Sequence, residues 1–313
     1  MKQTAGYAAD LHNHTTASDG SLTPTELISL AAEQGLAVVA VTDHDTMDGL
    51  TEALAAGKDR CIDVMPGIEI TIRFTREIFT GSLHLLVYFD AMLLDNPEFC
   101  AMTRDTLEKG RGPALTRDRI EAINRVFAPG GTQPLLPEPL TEDHVYAHGD
   151  RISRRHFALA LKTMGLSDKT LISSIIGNES PAYIPSGIPL SAVKPYLNRW
   201  PLTRVLAHPA AGSFPGDSHY REVLPPYEVV DMLIPEFMDA GLDGFEIEYP
   251  GHTESWKMRL RERMAQLGLS IESGGSDCHD DSERPLGIAG TTLEAVDAIR
   301  RCFRERMKDS VSQ

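Results

Sequence analysis

Residues 9–49 read ADLHNHTTASDGSLTPTELISLAAEQGLAVVAVTDHDTMDG, and this stretch decides the fold class. A short strand candidate, Tyr7 to Leu11, runs straight into His12 and His14. Thr23-Pro24-Thr25-Glu26 then predicts a helix start, with Thr23 as N-cap, Pro24 in the first turn and Glu26 placed to close a capping box. Leu27, Leu30 and Ala31 give that helix its apolar stripe, and Gly35 ends it. Leu36 to Val41 is a continuous, largely β-branched run, as in a strand covered on both faces, and it ends in Thr42-Asp43-His44-Asp45. Strand, helix and strand, with polar residues where the strands end, predict an α/β fold.

The same rhythm extends outward. Val64 to Ile72 and Ser82 to Phe89 read as strands carrying Glu69 and His84. After residue 200 come Thr203 to Ala207, Asp243 to Tyr249 and Leu269 to Ser273. Each strand ends at or near a His, Asp or Glu, and parallel β/α folds place their sites at the carboxyl ends of strands. A barrel-like sheet with one polar mouth is the expected frame, occupying residues 1–90 and 200–304. Residues 91–199 break the rhythm: turn-rich Gly110 to Pro113 and Pro129 to Pro139 separate helix-like stretches at 116–127, 153–165 and 167–176. A mainly helical insertion is expected there, and a frayed polar tail after about 304.

Bulk properties exclude several classes. At 313 residues with 42% hydrophobic and 24% charged residues, the chain has the balance of a soluble globular protein. No stretch approaches the roughly 20 apolar residues of a membrane helix, and MKQTAGYAADLHNH lacks the apolar run of a secretory leader. Cys61, Cys100, Cys278 and Cys302 form no C-x-x-C pair, which argues against a disulfide framework or zinc knuckle and makes a reducing cytoplasm the expected compartment. A net charge of −15 argues against duplex nucleic acid, whose binders present a basic face. A small phosphorylated ligand stays possible, because bound divalent cations reverse the local field.

The ligand-type residues along the chain are His12, His14, Asp19, Asp43, His44, Glu69, His84, His208, Glu246, Asp277 and His279. His12-x-His14 and Asp277-x-His279 each put two ligand atoms on one face through strand alternation. Cys278 then points the other way, as a small buried residue. Imidazoles mixed with carboxylates suit Zn, Mn or Fe better than Mg or Ca.

These residues stand in a recognisable order. D-x-H-x-H, S-D-G and T-D-H-D-T in residues 9–49, followed by PGIEI (66–70), SLHLLVY (82–88), AHP (207–209) and GSDCH (275–279), closely resemble the motifs of the polymerase-and-histidinol-phosphatase (PHP) phosphoesterases, over about 1–90 and 200–290. The S-D-G and T-D-H-D forms are more similar to the bacterial nucleotide-phosphatase branch than to histidinol phosphatases. The resemblance implies a distorted (β/α)7 barrel with two to three divalent ions. By motif, His12, His14, Glu69 and Asp277 hold one ion; Glu69, His84 and His208 a second; Asp19, His44 and His279 a third. His12, His14, Glu69, His208 and Asp277 would carry the catalysis, with a water shared by two ions as nucleophile. Asp43 would orient a ligand histidine, and Glu246 would support the site or join it as a ligand.

In the insertion, ISRRHFALAL (152–161) resembles an I-G-R-P-H-F/I-A stretch of the same branch, placing Arg154 and His156 as substrate-binding residues. Ser153 and Arg155 depart from that pattern, so either arginine can be the one that faces phosphate. PAYIP (181–185) adds Tyr183, placed to stack on a base or to pack. The expected activity is hydrolysis of a small phosphate ester, of the AMP or 3′,5′-bisphosphonucleotide type. The alternatives are a 3′-end or short-oligonucleotide exonuclease, a histidinol-phosphate phosphatase, and a metal-binding module without turnover. Nothing in the sequence fixes the oligomeric state.

Overall fold

A computed structural model describes residues 6–149, 152, 154–213, 224–279 and 284–311, without the side chains of Arg111 and of 309–311. Its sheet runs β1 (Ala9–Asp10), β2 (Val38–Val41), β3 (Asp63–Arg76), β4 (Phe79–Tyr88), β6 (Thr203–Leu206), β7 (Gly244–Glu248), β8 (Ile271–Gly274), with β5 (Ile188–Pro189) paired beside β3. Neighbours are parallel except around β4, which is antiparallel to both β3 and β6. The fold is therefore mixed α/β. The strand-end rule holds only in part: Glu69 lies inside β3, His84 inside β4 and Glu246 inside β7. The β3–β4 hairpin accounts for the first two, because it carries its polar residues along one face rather than at a parallel mouth.

Backbone bonds continue between the segments that follow β1 and β8. Leu11 N–H donates to Gly274 O (3.0 Å), Asp277 N–H to His12 O (2.8 Å) and His14 N–H to Cys278 O (2.9 Å). Gly275 permits this approach, since a Cβ there would stand 2.4 Å from His12 N.

The first helix forms as its sequence dictates. In α1 (Pro24–Gln34), Thr23 and Glu26 close the capping box and Gly35 turns left-handed at φ 78°. Leu27, Ile28 and Ala31 are buried. Strand β2 is buried on both faces, and its side chains alternate between two cores. Val39 and Val41 join the large core shared with α1, α2 (Leu50–Arg60), α8 (Leu190–Arg199) and α9 (Tyr227–Asp239). Val38 and Ala40 join a second core capped by α11 (Leu293–Val311) through Val296, Ile299 and Phe303. The expected frayed tail is thus corrected: α11 continues to Val311, and Arg306 donates 2.8 Å to Asp243 Oδ2. That ion pair and the underlying apolar face hold a segment whose own composition is polar.

Residues 91–199 divide between cores. Phe99 and Leu107 of α3 (Pro97–Arg111), with Val193 and Leu197 of α8, join the large core. A separate cluster lies under α4 (Pro113–Phe127), α5 (Glu142–Tyr146), α6 (Arg154–Thr163) and α7 (Lys169–Ile176), built on Ile123, Phe127, Phe157, Leu161 and Ile175. Ser153 lies outside the described residues. Among the described residues, no helix is long and apolar enough to cross a membrane.

His252, in the turn before α10 (Glu254–Leu267), is buried with its Nδ1 2.9 Å from Ile247 O. Burial pushes its pKa down to about 4, against the opposing pull of that carbonyl. Its folded pKa lies below the unfolded value of 6.5, so the unfolded chain takes up the proton first as pH falls. Stability present above pH 6.5 should be lost as pH falls towards 4, by up to about 3 kcal/mol. In His252→Gln the fall of Tm across this window should be shallower than in wild type. Parallel Tm curves would contradict the assignment.

Candidate metal centre

The site is assembled where the loops after β1, β2, β6 and β8 meet the polar face of the β3–β4 hairpin. Strand β3 presents Glu69, buried completely, and the other side chains gather around its carboxylate. His12 Nε2 (3.3 Å), His14 Nε2 (3.2 Å) and His44 Nδ1 (3.0 Å) approach Oε2. His84 Nδ1 (2.9 Å) and His208 Nε2 (3.3 Å) approach Oε1. Asp277 Oδ1 sits 3.2 Å from His14 Nε2 and 3.3 Å from His279 Nδ1, and His279 Nε2 lies 3.3 Å from Asp19 Oδ1. Every histidine and carboxylate expected as a ligand is brought into this one cluster.

Ligand atoms fall into three groups, each within 4.8 Å: His12, His14, Glu69 and Asp277; His44, Glu69 and His84; and His14, Asp19, His44 and His279. They overlap strongly with the three sets expected from the motifs. The differences are that His44 and His14 each serve two groups, while His208 stands beside the second, 3.3 Å from His84 Nδ1. Two of the residues carry backbone strain, His208 at φ 31° and Asp277 at φ 52°, where non-glycine residues persist only if their surroundings hold them. Cys278 points into the apolar core, as alternation requires.

The donor set fits divalent cations. His12 Nε2, both ring nitrogens of His14, His44 Nδ1 and Glu69 Oε2 are buried and make no hydrogen bond, although they face one another. Such atoms each cost roughly 1–3 kcal/mol when left so, and cations shared within the groups would satisfy them, with the two diverging nitrogens of His14 facing different groups. Without a cation, burial opposes charge on His12, but Glu246, Glu69 and Asp277 outweigh it and hold its pKa well above the usual range. His14 is held at about 9 by Asp277 and Glu69 against the same burial. Burial drives His44 the other way, and it stays below its ordinary value despite Glu69. A cation entering the cluster must displace the protons on His12 and His14.

Supporting groups complete the frame. Glu246 accepts from His208 N (2.8 Å) and faces His12 Nδ1 (3.0 Å), which leaves Nε2 of that ring turned inward. It orients two ligands rather than joining a group. Asp43 does not orient a histidine, contrary to expectation. Its carboxylate accepts from Thr15 N (2.7 Å), Thr15 Oγ1 (2.7 Å) and Ser18 Oγ (2.6 Å), fixing the loop that carries Asp19. Two neighbours of Asp277 were not singled out in the sequence. Tyr249 donates to its Oδ2 at 2.9 Å, and Arg284 Nη1 bonds the same oxygen. Tyr249 closes a strand already marked as polar-ended, and Arg284 lies five residues beyond His279, but neither carries a ligand-type side chain that would flag it.

Residues 91–199 bring Arg154 and Tyr183 to one small cavity, with Arg119, Ile123 and Phe157 among its walls. Arg154 lies 5.6 Å over the Tyr183 ring and donates to Asn178 Oδ1 at 2.6 Å. Arg155 is exposed and His156 half-buried, and neither lines this cavity. Arg119 pins the strap after Tyr183, donating to Ile184 O (2.9 Å) and Ser186 Oγ (2.8 Å). Ser82, two residues before His84, donates to Ser186 O (2.7 Å), so the strap ties the helical core to the hairpin of the metal centre.

A PHP-domain family model matches residues 10–131. The 3′,5′-nucleoside bisphosphate phosphatase of Chromobacterium violaceum is 48% identical over 305 residues, 95% of each chain. The chain belongs to the PHP family. The 5′-3′ exoribonuclease of Haemophilus influenzae is 28% identical, covering 93% of this chain and 96% of that one. A solved structure from Bifidobacterium adolescentis, described as a candidate metal-dependent phosphoesterase, superposes with a TM-score of 0.64 at 29% identity, over 95% of this chain and 96% of that one.

Glu246→Gln keeps the shape of this supporting carboxylate but removes its charge from His12. Divalent-metal affinity should fall about tenfold to a hundredfold, as elemental analysis after dialysis against a graded metal buffer would read. Unchanged retention would show that Glu246 does not orient the centre.

Proposed function

We propose that the protein is a metal-dependent phosphomonoesterase of small nucleotides, of the AMP or 3′,5′-bisphosphate type. The observation that carries this is the linkage of three ligand groups through Glu69, His14 and His44. A cavity among residues 119–184 adds a guanidinium and an aromatic ring. The relative with 48% identity bears the name of such a phosphatase.

His12, His14, Glu69 and Asp277 would hold one ion, Glu69, His84 and His208 a second, and Asp19, His44 and His279 a third. Manganese, iron or zinc suits these donors. Bound divalent ions supply Lewis acidity and an activated water near neutral pH. His12, His14, Glu69, His208 and Asp277 are the catalytic set, each holding its donor atom in a fixed direction. Three carboxylates do not neutralise the ions, which leaves a positive hollow for a phosphate dianion. Arg154 grips phosphate through its fork, His156 assists from the same helix, and Tyr183 stacks on the base.

The same reading takes the sheet as a distorted seven-stranded barrel, supported by the backbone bonds between the segments after β1 and β8. Residues 1–90 and 200–304 form it, and 91–199 are the insertion that selects the substrate. The compartment is the cytoplasm, in keeping with four cysteines that form no disulfide. A second reading, a short-oligonucleotide exonuclease, rests on the relative named as an exoribonuclease. A nuclease that grips many phosphates loses affinity steeply with salt, whereas a mononucleotide phosphatase does not.

Phosphate release should be measured with Mn²⁺ from AMP, 3′,5′-bisphosphoadenosine, histidinol phosphate and a short single-stranded oligonucleotide, with chelator as control. Chelator-sensitive release from an adenosine mononucleotide is expected, and Asp277→Ala should lose both metal and turnover. Release from histidinol phosphate or the oligonucleotide alone would refute the proposed substrate class. Arg154→Ala should raise the Michaelis constant with less effect on turnover number. If Arg155→Ala does this instead, the assignment within the insertion moves by one residue.

A further inference from the structure

Arg284 stands at the open side of the centre, where no motif places a functional residue. Its side chain is 25% exposed, against 4% for Asp277 and 1% for Glu69. Nη1 bonds Asp277 Oδ2 and lies 3.2 Å from the Tyr249 hydroxyl, and Nη2 lies 3.4 Å from His279 Nδ1. Asp277 is thus divided: Oδ1 faces His12, His14 and His279, and Oδ2 faces a phenol and a guanidinium.

We infer that Arg284 is a phosphate-binding residue of this centre, and that it transfers part of its hydrogen bonding from Asp277 and His279 to a phosphate oxygen when the centre is loaded. This rests on the phosphoesterase reading above, and two observations carry it further. His279 Nδ1 has two incompatible neighbours, the carbonyl of Asp277 at 3.0 Å, an acceptor, and Arg284 Nη2, a donor. An imidazole whose Nε2 is turned to a cation keeps its proton on Nδ1 and donates it. The carbonyl then takes that proton, and the guanidinium arm loses His279 as an acceptor.

Charge acts in the same direction. Glu69, Asp19 and Asp277 are the carboxylates of the ligand groups and Glu246 stands against His12, and divalent ions at all three groups exceed the charge of these four. A guanidinium held against a centre of surplus positive charge is repelled unless an anion lies between them. Phosphate is such an anion, and the planar fork of arginine matches two of its oxygens. Arg284 is remote in sequence from Arg154, so the two address the ligand from separate elements.

The probe is inorganic phosphate, titrated calorimetrically into Mn²⁺-loaded wild type, Arg284→Gln and Arg284→Lys, with manganese content measured on the same samples. Arg284→Gln should bind phosphate at least about tenfold more weakly at wild-type manganese content, and Arg284→Lys should recover part of the loss. Phosphate affinity within about twofold of wild type overturns the inference, since a charge-assisted bond is worth more than that. Manganese lost in parallel with phosphate binding also overturns it, because Arg284 would then only hold Asp277. If Arg284→Gln does not fold, Arg284→Lys decides alone: it keeps the charge, loses the fork, and should bind phosphate measurably more weakly with manganese intact. Wild type that binds no phosphate counts against it too. Failure of the nucleotide panel alongside a clear Arg284 effect would sink the substrate class and leave this residue's role standing.

Discussion

One buried carboxylate organises the molecule. Glu69 has no exposure, and five imidazoles converge on its two oxygens at 2.9–3.3 Å. A lone carboxylate cannot satisfy so many ring nitrogens, and its Oε2 makes no hydrogen bond at all. Such an arrangement is expensive as a structural core and reasonable as a cation cage. The rest of the fold can be understood as the means of keeping these six side chains converged.

Two kinds of backbone do that. The antiparallel β3–β4 hairpin places Thr71 opposite His84 and Leu86 opposite Glu69, so period-two alternation brings Glu69 and His84 to one face without any turn. The remaining ligands come from loops, and loops need separate restraint. Asp43 binds the Thr15–Ser18 turn, Glu246 binds His12 and the backbone of His208, and Asp10 accepts from Ser276 N (3.0 Å), Ser276 Oγ (2.6 Å) and Gly287 N (2.8 Å). Asp10 therefore joins the first loop of the site to the last, although the chain separates them by more than 260 residues.

The residues that cluster on Glu69 were legible because their chemistry is rare and their order is specific: His-x-His, an isolated Glu in a strand, and Asp-x-His have few other uses together. The capping box at Thr23–Glu26 was legible because it is local. What sequence could not give was anything decided by direction or partnership. Strand β4 looks like its parallel neighbours in composition, and only pairing shows that it runs against them. Asp43 carries a ligand-type side chain, yet it serves two hydroxyls and a peptide N–H. Arg284 and Tyr249 are ordinary residues in the sequence and gain meaning only through Asp277. The polar end of α11 looked unfit to order, because the carboxylate that anchors it through Arg306 belongs to Asp243, far away in the chain.

The backbone bonds between the segments after β1 and β8 have a consequence for biosynthesis. His12 and His14 leave the ribosome well before Asp277 and His279, which follow only after more than 260 further residues. At roughly 5–20 residues per second that interval is on the order of tens of seconds. Throughout it the nascent chain carries an incomplete set of strong ligands with no partner loop to shield them. Completion of the first ligand group, and burial of the strand face beneath α11, are thereby deferred until Asp277 and the residues of α11 have emerged.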